Sequence, residues 1–175
     1  NWGQIYANIS AHAGNVEEAF ELSRRYLAEG RYGDQDDETT TLNLLTMLET
    51  AVLVEDRRTA QLLYGRLTIL RSHALVSTNR WLNVNRILGE AQELLGDYTT
   101  ARAHYDKALE LMGRVRFRPE TALTNLDLAK LLLDRYPDEK TKAQGYLDLA
   151  IAELSDMKMQ PALERALSRR QMAEA

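Results

Sequence analysis

Between Tyr98 and Met112 the apolar side chains fall at Ala101, Tyr105, Ala108, Leu109 and Met112. Steps of three and four align them along one face of an α-helix. Val84, Leu88, Ala91 and Leu95 draw a similar face just before. Gly96-Asp97 separates the two runs, a residue suited to ending one helix and a residue suited to capping the next. The pattern predicts a tight helical hairpin, and it recurs. Glu18-Ala19-Phe20, Thr59-Ala60-Gln61, Thr100-Ala101-Arg102 and Lys142-Ala143-Gln144 each set an alanine near the start of a second helix, at steps of 41, 41 and 42 residues. A small side chain there lets the partner helix come close. Ser23, Tyr64, Tyr105 and Leu147 follow four residues later, and Tyr26, Leu67, Ala108 and Ala150 continue the same face one turn on.

These periods predict an all-α chain with helices over about 2–13, 15–29, 37–54, 56–73, 79–95, 98–112, 120–136, 140–156 and 161–172. Pro119 and Pro161 suit first helical turns, where the missing amide hydrogen costs nothing. Residues 1–175 are expected to form a single repeat domain. Its units run over about 1–36, 37–77, 78–118 and 119–158, with a cap at 159–175.

Leu88-Gly89, Gly96-Asp97-Tyr98, Ala101, Tyr105 and Ala108 resemble a tetratricopeptide repeat, with its small and aromatic residues in the family's order. In the other units Gly14-Asn15-Val16, Glu55-Asp56-Arg57 and Asp138-Glu139-Lys140 stand in place of Gly96-Asp97-Tyr98. The resemblance covers nearly the whole chain. It implies an α-solenoid, a superhelix of four antiparallel helix pairs closed by a C-terminal capping helix. The family period is about 34 residues; the excess here amounts to about one helical turn per helix.

Composition narrows the function. Cysteine is absent, which excludes disulfide scaffolds, thiolate metal clusters and cysteine nucleophiles, and a reducing cytoplasm is expected. A net charge of -4 argues against direct nucleic-acid binding by phosphate neutralisation. The longest apolar runs, such as Leu131-Leu132-Leu133, fall far short of the ~20 residues a membrane helix needs. Asn1-Trp2-Gly3-Gln4-Ile5 reads as helix, not as a signal peptide, so a piece of a larger protein is expected.

A second resemblance rests on Arg118-Pro119-Glu120-Thr121-Ala122-Leu123-Thr124-Asn125-Leu126-Asp127-Leu128-Ala129-Lys130-Leu131-Leu132-Leu133 and on Met159-Gln160-Pro161-Ala162-Leu163-Glu164-Arg165-Ala166-Leu167. Both are similar to C-terminal repeat segments of large bacterial ATP-dependent regulators. These include LuxR-type activators related to the maltose-operon activator, and NTPase-coupled cyclase or kinase regulators. The resemblance implies a sensor that binds a protein, a peptide or a small effector beside an NTPase domain of the parent chain. The sequence itself has no Gly-rich phosphate loop and no separate helix-turn-helix. The reading is a non-catalytic interaction or effector-sensing module of a transcriptional regulator, the alternative being a stand-alone scaffold for protein complexes.

First helices line the groove of such stacks. Asn83, Arg86, Glu90 and Glu93 form one polar row there, and Glu120, Thr124, Asp127, Lys130 and Asp134 form another. Seven of these, Asn83, Arg86, Glu90, Glu93, Thr124, Asp127 and Lys130, are the expected partner-binding residues. The Lys and Asn residues that peptide clamps use for a terminal carboxylate do not recur between units. No catalytic, cofactor or metal residues are expected. His12, His73 and His104 lie in different units without metal-ligand spacing, and no serine sits in a nucleophile elbow. Asp34-Gln35-Asp36-Asp37-Glu38 lacks the glycine of a calcium loop and is read as capping the helix near Thr39. Arg114, Arg116 and Arg118 read as a solvated linker, Trp2 and Trp81 as packing residues, and Asn125 as a buried polar group.

Overall fold

Helix-favouring composition with few prolines becomes helix almost everywhere. A computed structural model describes residues 2–29, 41–70, 76–77 and 82–174. Among these are nine helices: α1 (Trp2–His12), α2 (Val16–Glu29), α3 (Thr41–Leu53), α4 (Arg57–Leu70), α5 (Val84–Leu95), α6 (Tyr98–Val115), α7 (Arg118–Arg135), α8 (Lys140–Asp156) and α9 (Gln160–Glu174). The exceptions are a two-residue antiparallel ladder, β1 (Val76–Ser77) with β2 (Leu82–Asn83), and one 3-10 turn over Pro137–Glu139. The chain is all-α in class. None of the described helices is long and apolar enough to cross a membrane.

The helix ends carry the repeat into backbone geometry. Gly14, Glu55 and Gly96, 41 residues apart, all take left-handed φ angles of 84°, 57° and 93°. Each ends its helix in the same way. The Gly14 N–H donates to Ala11 O (3.1 Å) and Asn15 N–H to Ser10 O (2.9 Å). Glu55 and Asp56 repeat this on Val52 and Ala51, and Gly96 and Asp97 on Glu93 and Gln92. Paired bonds of this kind satisfy the last carbonyls of a helix. Arg116 (54°) and Lys158 (56°), 42 residues apart, close α6 and α8 alike. After α7 the chain meets Pro137, whose ring excludes a left-handed φ, and turns through the 3-10 segment instead.

Two expectations need correction. The fifth helix begins at Val84, not near residue 79: Leu82 and Asn83 are extended, and Asn83 Oδ1 accepts from the Asn85 N–H (3.0 Å) as the helix cap. Trp2, expected to be packed, is 85% exposed, and none of the described helices covers it. Residues 37–40 and 71–73 at the expected ends of α3 and α4, the acidic run at 34–38, His73 and Trp81 lie outside the described residues.

The chain divides into two compact units, Asn1–Asp97 and Tyr98–Ala175, so the boundary falls within the third expected repeat. In the first unit α3 is central and packs on α1, α2, α4 and α5. Leu44, Leu48, Leu63, Leu67, Ile87 and Leu88 are fully buried there. Gly3 is required where α1 meets α2, since a Cβ would stand 2.8 Å from the Tyr26 ring. In the second unit α7 packs on α6, α8 and α9. Tyr105, Leu128, Leu131 and Leu132 form one core. Ala162 and Ala166 of α9 join Leu126, Leu147 and Leu154 in another. All four repeat alanines, Ala19, Ala60, Ala101 and Ala143, are 0% exposed.

Candidate functional site

The first helices of the Asn1–Asp97 unit carry a polar row at positions where a bundle ordinarily places apolar side chains. Asn8 on α1, Glu49 on α3 and Glu90 on α5 occur at steps of 41 residues, so each holds the same place in its repeat. Asn8 Nδ2 donates to Glu49 Oε2 (3.1 Å) and to Thr50 Oγ1 (3.2 Å). His12 Nε2 lies 3.5 Å from Glu49 Oε1. On α5, Arg86 Nη1 donates to Glu90 Oε1 (2.7 Å). The row is graded in exposure. Asn8, Glu49 and Arg86 are buried, Glu90 is half-buried, and His12 is exposed.

Electrostatics ties the helices together. Burial pushes the Glu49 carboxyl up, but the His12 hydrogen bond, the charges of His12 and Arg86, and the Asn8 hydrogen bond outweigh it. Its pKa lies below the ordinary carboxylate value. Glu49 is therefore an anion at neutral pH, held between α1 and α5. Glu90 is a second carboxylate paired with Arg86. Among the described residues no three His, Asp or Glu side chains converge as metal ligands would.

No family model, no curated protein and no solved structure matches the chain. The internal repetition supplies a reference instead. One step of 41 beyond Glu90 stands Leu131, 0% exposed in the core of the second unit. A repeat of this kind packs with an apolar residue at that place.

The other expected residues are dispersed. Asn83 is a fully buried helix cap, and Glu93 is half-buried one turn beyond Glu90. In the second unit Thr124 is buried, and its Oγ1 donates to the Glu120 carbonyl (2.7 Å) within α7. Asp127 is half-buried and Lys130 exposed. Asp134 pairs with Arg169 of α9. Of the three arginines expected in a solvated linker, Arg114 lies in the last turn of α6 and Arg118 opens α7 instead; Arg118 is held by Glu153 (2.6 Å) and Asp156 (2.5 Å), and Arg114 by Glu110 (2.5 Å). Asn8, His12 and Glu49 were missed because their partners are one repeat away in sequence. Stepping back 41 residues from Glu90 finds two of them.

A second feature of the first unit is an open cleft of about 710 Å³ between α2 and the start of α4. Phe20, Leu27 and Leu62 form its apolar lining, with Arg24 stacked 5.7 Å over Phe20. Its carboxylate, Asp56, is engaged as a helix cap by the Thr59 N–H (3.1 Å) and hydroxyl (2.7 Å).

Proposed function

We propose that the chain is a non-catalytic helical-repeat module of the tetratricopeptide type, an α-solenoid of antiparallel helix pairs. It binds a protein, a peptide or a small effector along the polar row of its first helices. On this reading it works in the cytoplasm within a larger bacterial transcriptional regulator, next to an NTPase domain. The repeat reading is supported by the left-handed turns at Gly14, Glu55 and Gly96 and by the four buried alanines.

The binding reading is carried by the ionic row Glu49–Arg86–Glu90. A buried ionic group is often no more stabilising than a well-packed apolar side chain of similar size in its place, so its retention is not explained by stability alone. Leu131 supports the view that the repeat itself needs no charge at that position. Charges retained there suit recognition: they are oriented by packing, while His12 and Glu90 at the wetter edge can meet a ligand. A ligand group that pairs with Glu90 competes with Arg86, and Arg86 then bears more fully on Glu49. That exchange alters how α1, α3 and α5 hold together, which is a route from binding to a neighbouring domain.

The test is an affinity capture from the bacterial source with the native chain and with an Arg86→Glu/Glu90→Arg exchange, which keeps the pair and reverses the row. Circular dichroism should show equal helix content, and specific partners or effectors should be lost from the exchanged protein. Capture of the same partners with equal affinity rejects this face. A parent gene product with no upstream phosphate-binding loop would remove the regulator part of the reading.

A further inference from the structure

In the Asn1–Asp97 unit α3 meets a first helix on each of two sides, α1 on one and α5 on the other. On α1, Gln4 and Asn8 face α3: Gln4 Nε2 donates to Met47 Sδ (2.8 Å) and Asn8 Nδ2 to Thr50 Oγ1 (3.2 Å). Met47 and Thr50 thus mark the side of α3 covered by the preceding helix, and they are 3% and 2% exposed. One repeat later the same places are Leu88 and Ala91, both 0% exposed in a shared core with α3 and α4. One repeat earlier they are Tyr6 and Ile9. These are 53% and 58% exposed, and Trp2, one turn before, is 85% exposed. The Tyr6 hydroxyl reaches Glu18 at 3.4 Å, but its ring lies open.

Trp2, Tyr6 and Ile9, at steps of four and three, therefore form one apolar stripe on α1. The equivalents of Tyr6 and Ile9 on α3 and α5, Met47 with Thr50 and Leu88 with Ala91, are buried. A contiguous exposed aromatic and aliphatic stripe marks a contact surface. We propose that this stripe is the acceptor face for a further helix pair of the same repeat type, joined to α1 ahead of it in the polypeptide. The occupant follows from continuity: the interface is the one already formed twice, by α1 on α3 and by α3 with α4 on α5. This rests on the repeat reading of the fold and not on ligand binding at the polar row.

The chain has no cysteine, so an Ile9→Cys variant presents a single thiol whose labelling rate reports exposure of the stripe. The probe is a copy of the chain's own residues 42–82 fused directly ahead of Asn1, which preserves the 41-residue period. The expected result is a gain of helix by circular dichroism, labelling slowed at least tenfold relative to the unfused variant, and a Tm higher by about 5 °C. Helix gained with unchanged labelling overturns the acceptor face alone. No helix gained overturns it together with the repeat reading. Protection in the unfused chain that rises with protein concentration assigns the stripe to a second copy, and also overturns the proposal.

Discussion

Replacing Glu49 by Gln isolates the charge in the middle of the polar row. Gln keeps an oxygen to accept from Asn8 Nδ2, now 3.1 Å from the carboxylate, but it offers no charge to His12 or Arg86. Hydrogen bonds to a charged group contribute about 1.5–3 kcal/mol, against about 0.5–1.5 for neutral pairs. Arg86 retains Glu90, so it is not left unpaired and the larger cost of an orphaned buried charge does not apply. The expected loss is about 1–2 kcal/mol at pH 7. In urea that lowers the midpoint by roughly 0.5–1 M.

The pH dependence carries the sign. Because the folded Glu49 pKa is depressed, its contribution is present above the unfolded value near 4.5 and is lost as pH falls through the folded value. The gap between the native chain and Glu49→Gln should therefore be full at pH 6 to 7 and close as pH drops below 4.5. Paired urea titrations across that range measure it. A gap that stays constant down to pH 3, or that is already absent at pH 7, refutes the account of Glu49 as an anion held between α1 and α5.

The left-handed turns make an opposed pair of expectations. Gly96→Ala should cost about 1–2 kcal/mol from backbone strain alone, since the nearest atom to the added Cβ is Arg57 Nη2 at 3.8 Å. Glu55→Gly, relieving the same conformation, should gain about 0.5 kcal/mol in the same denaturation assay. Ala143→Leu should destabilise by about 1–3 kcal/mol by overfilling the core with Leu128 and Leu132, read as a lower Tm by calorimetry. Arg118→Ala should leave Tm unchanged within error despite its two carboxylate contacts, because water screens exposed pairs.

The all-α class, the order of nine helices and the period of the repeat were legible along the chain because each depends on neighbours in sequence. Three- and four-residue steps define a helix face, and a small residue at 19, 60, 101 and 143 marks the same close approach each time. Even so, Glu55, Arg116 and Lys158 end helices in the left-handed conformation without glycine, so composition alone understates how regular the turns are. Polar rows were legible too, but only as rows. Whether a polar side chain faces water or a neighbouring helix depends on what packs across from it, about 41 residues away. Arg86 and Glu90 are four residues apart and pair within one helix, whereas Glu49 comes under the Arg86 charge only when α3 packs on α5, and meets Asn8 only when α1 packs on α3. Trp2 shows the converse. Its aromatic character suggests burial, yet packing leaves it 85% exposed, since burial belongs to a pair of surfaces and a sequence writes only one of them.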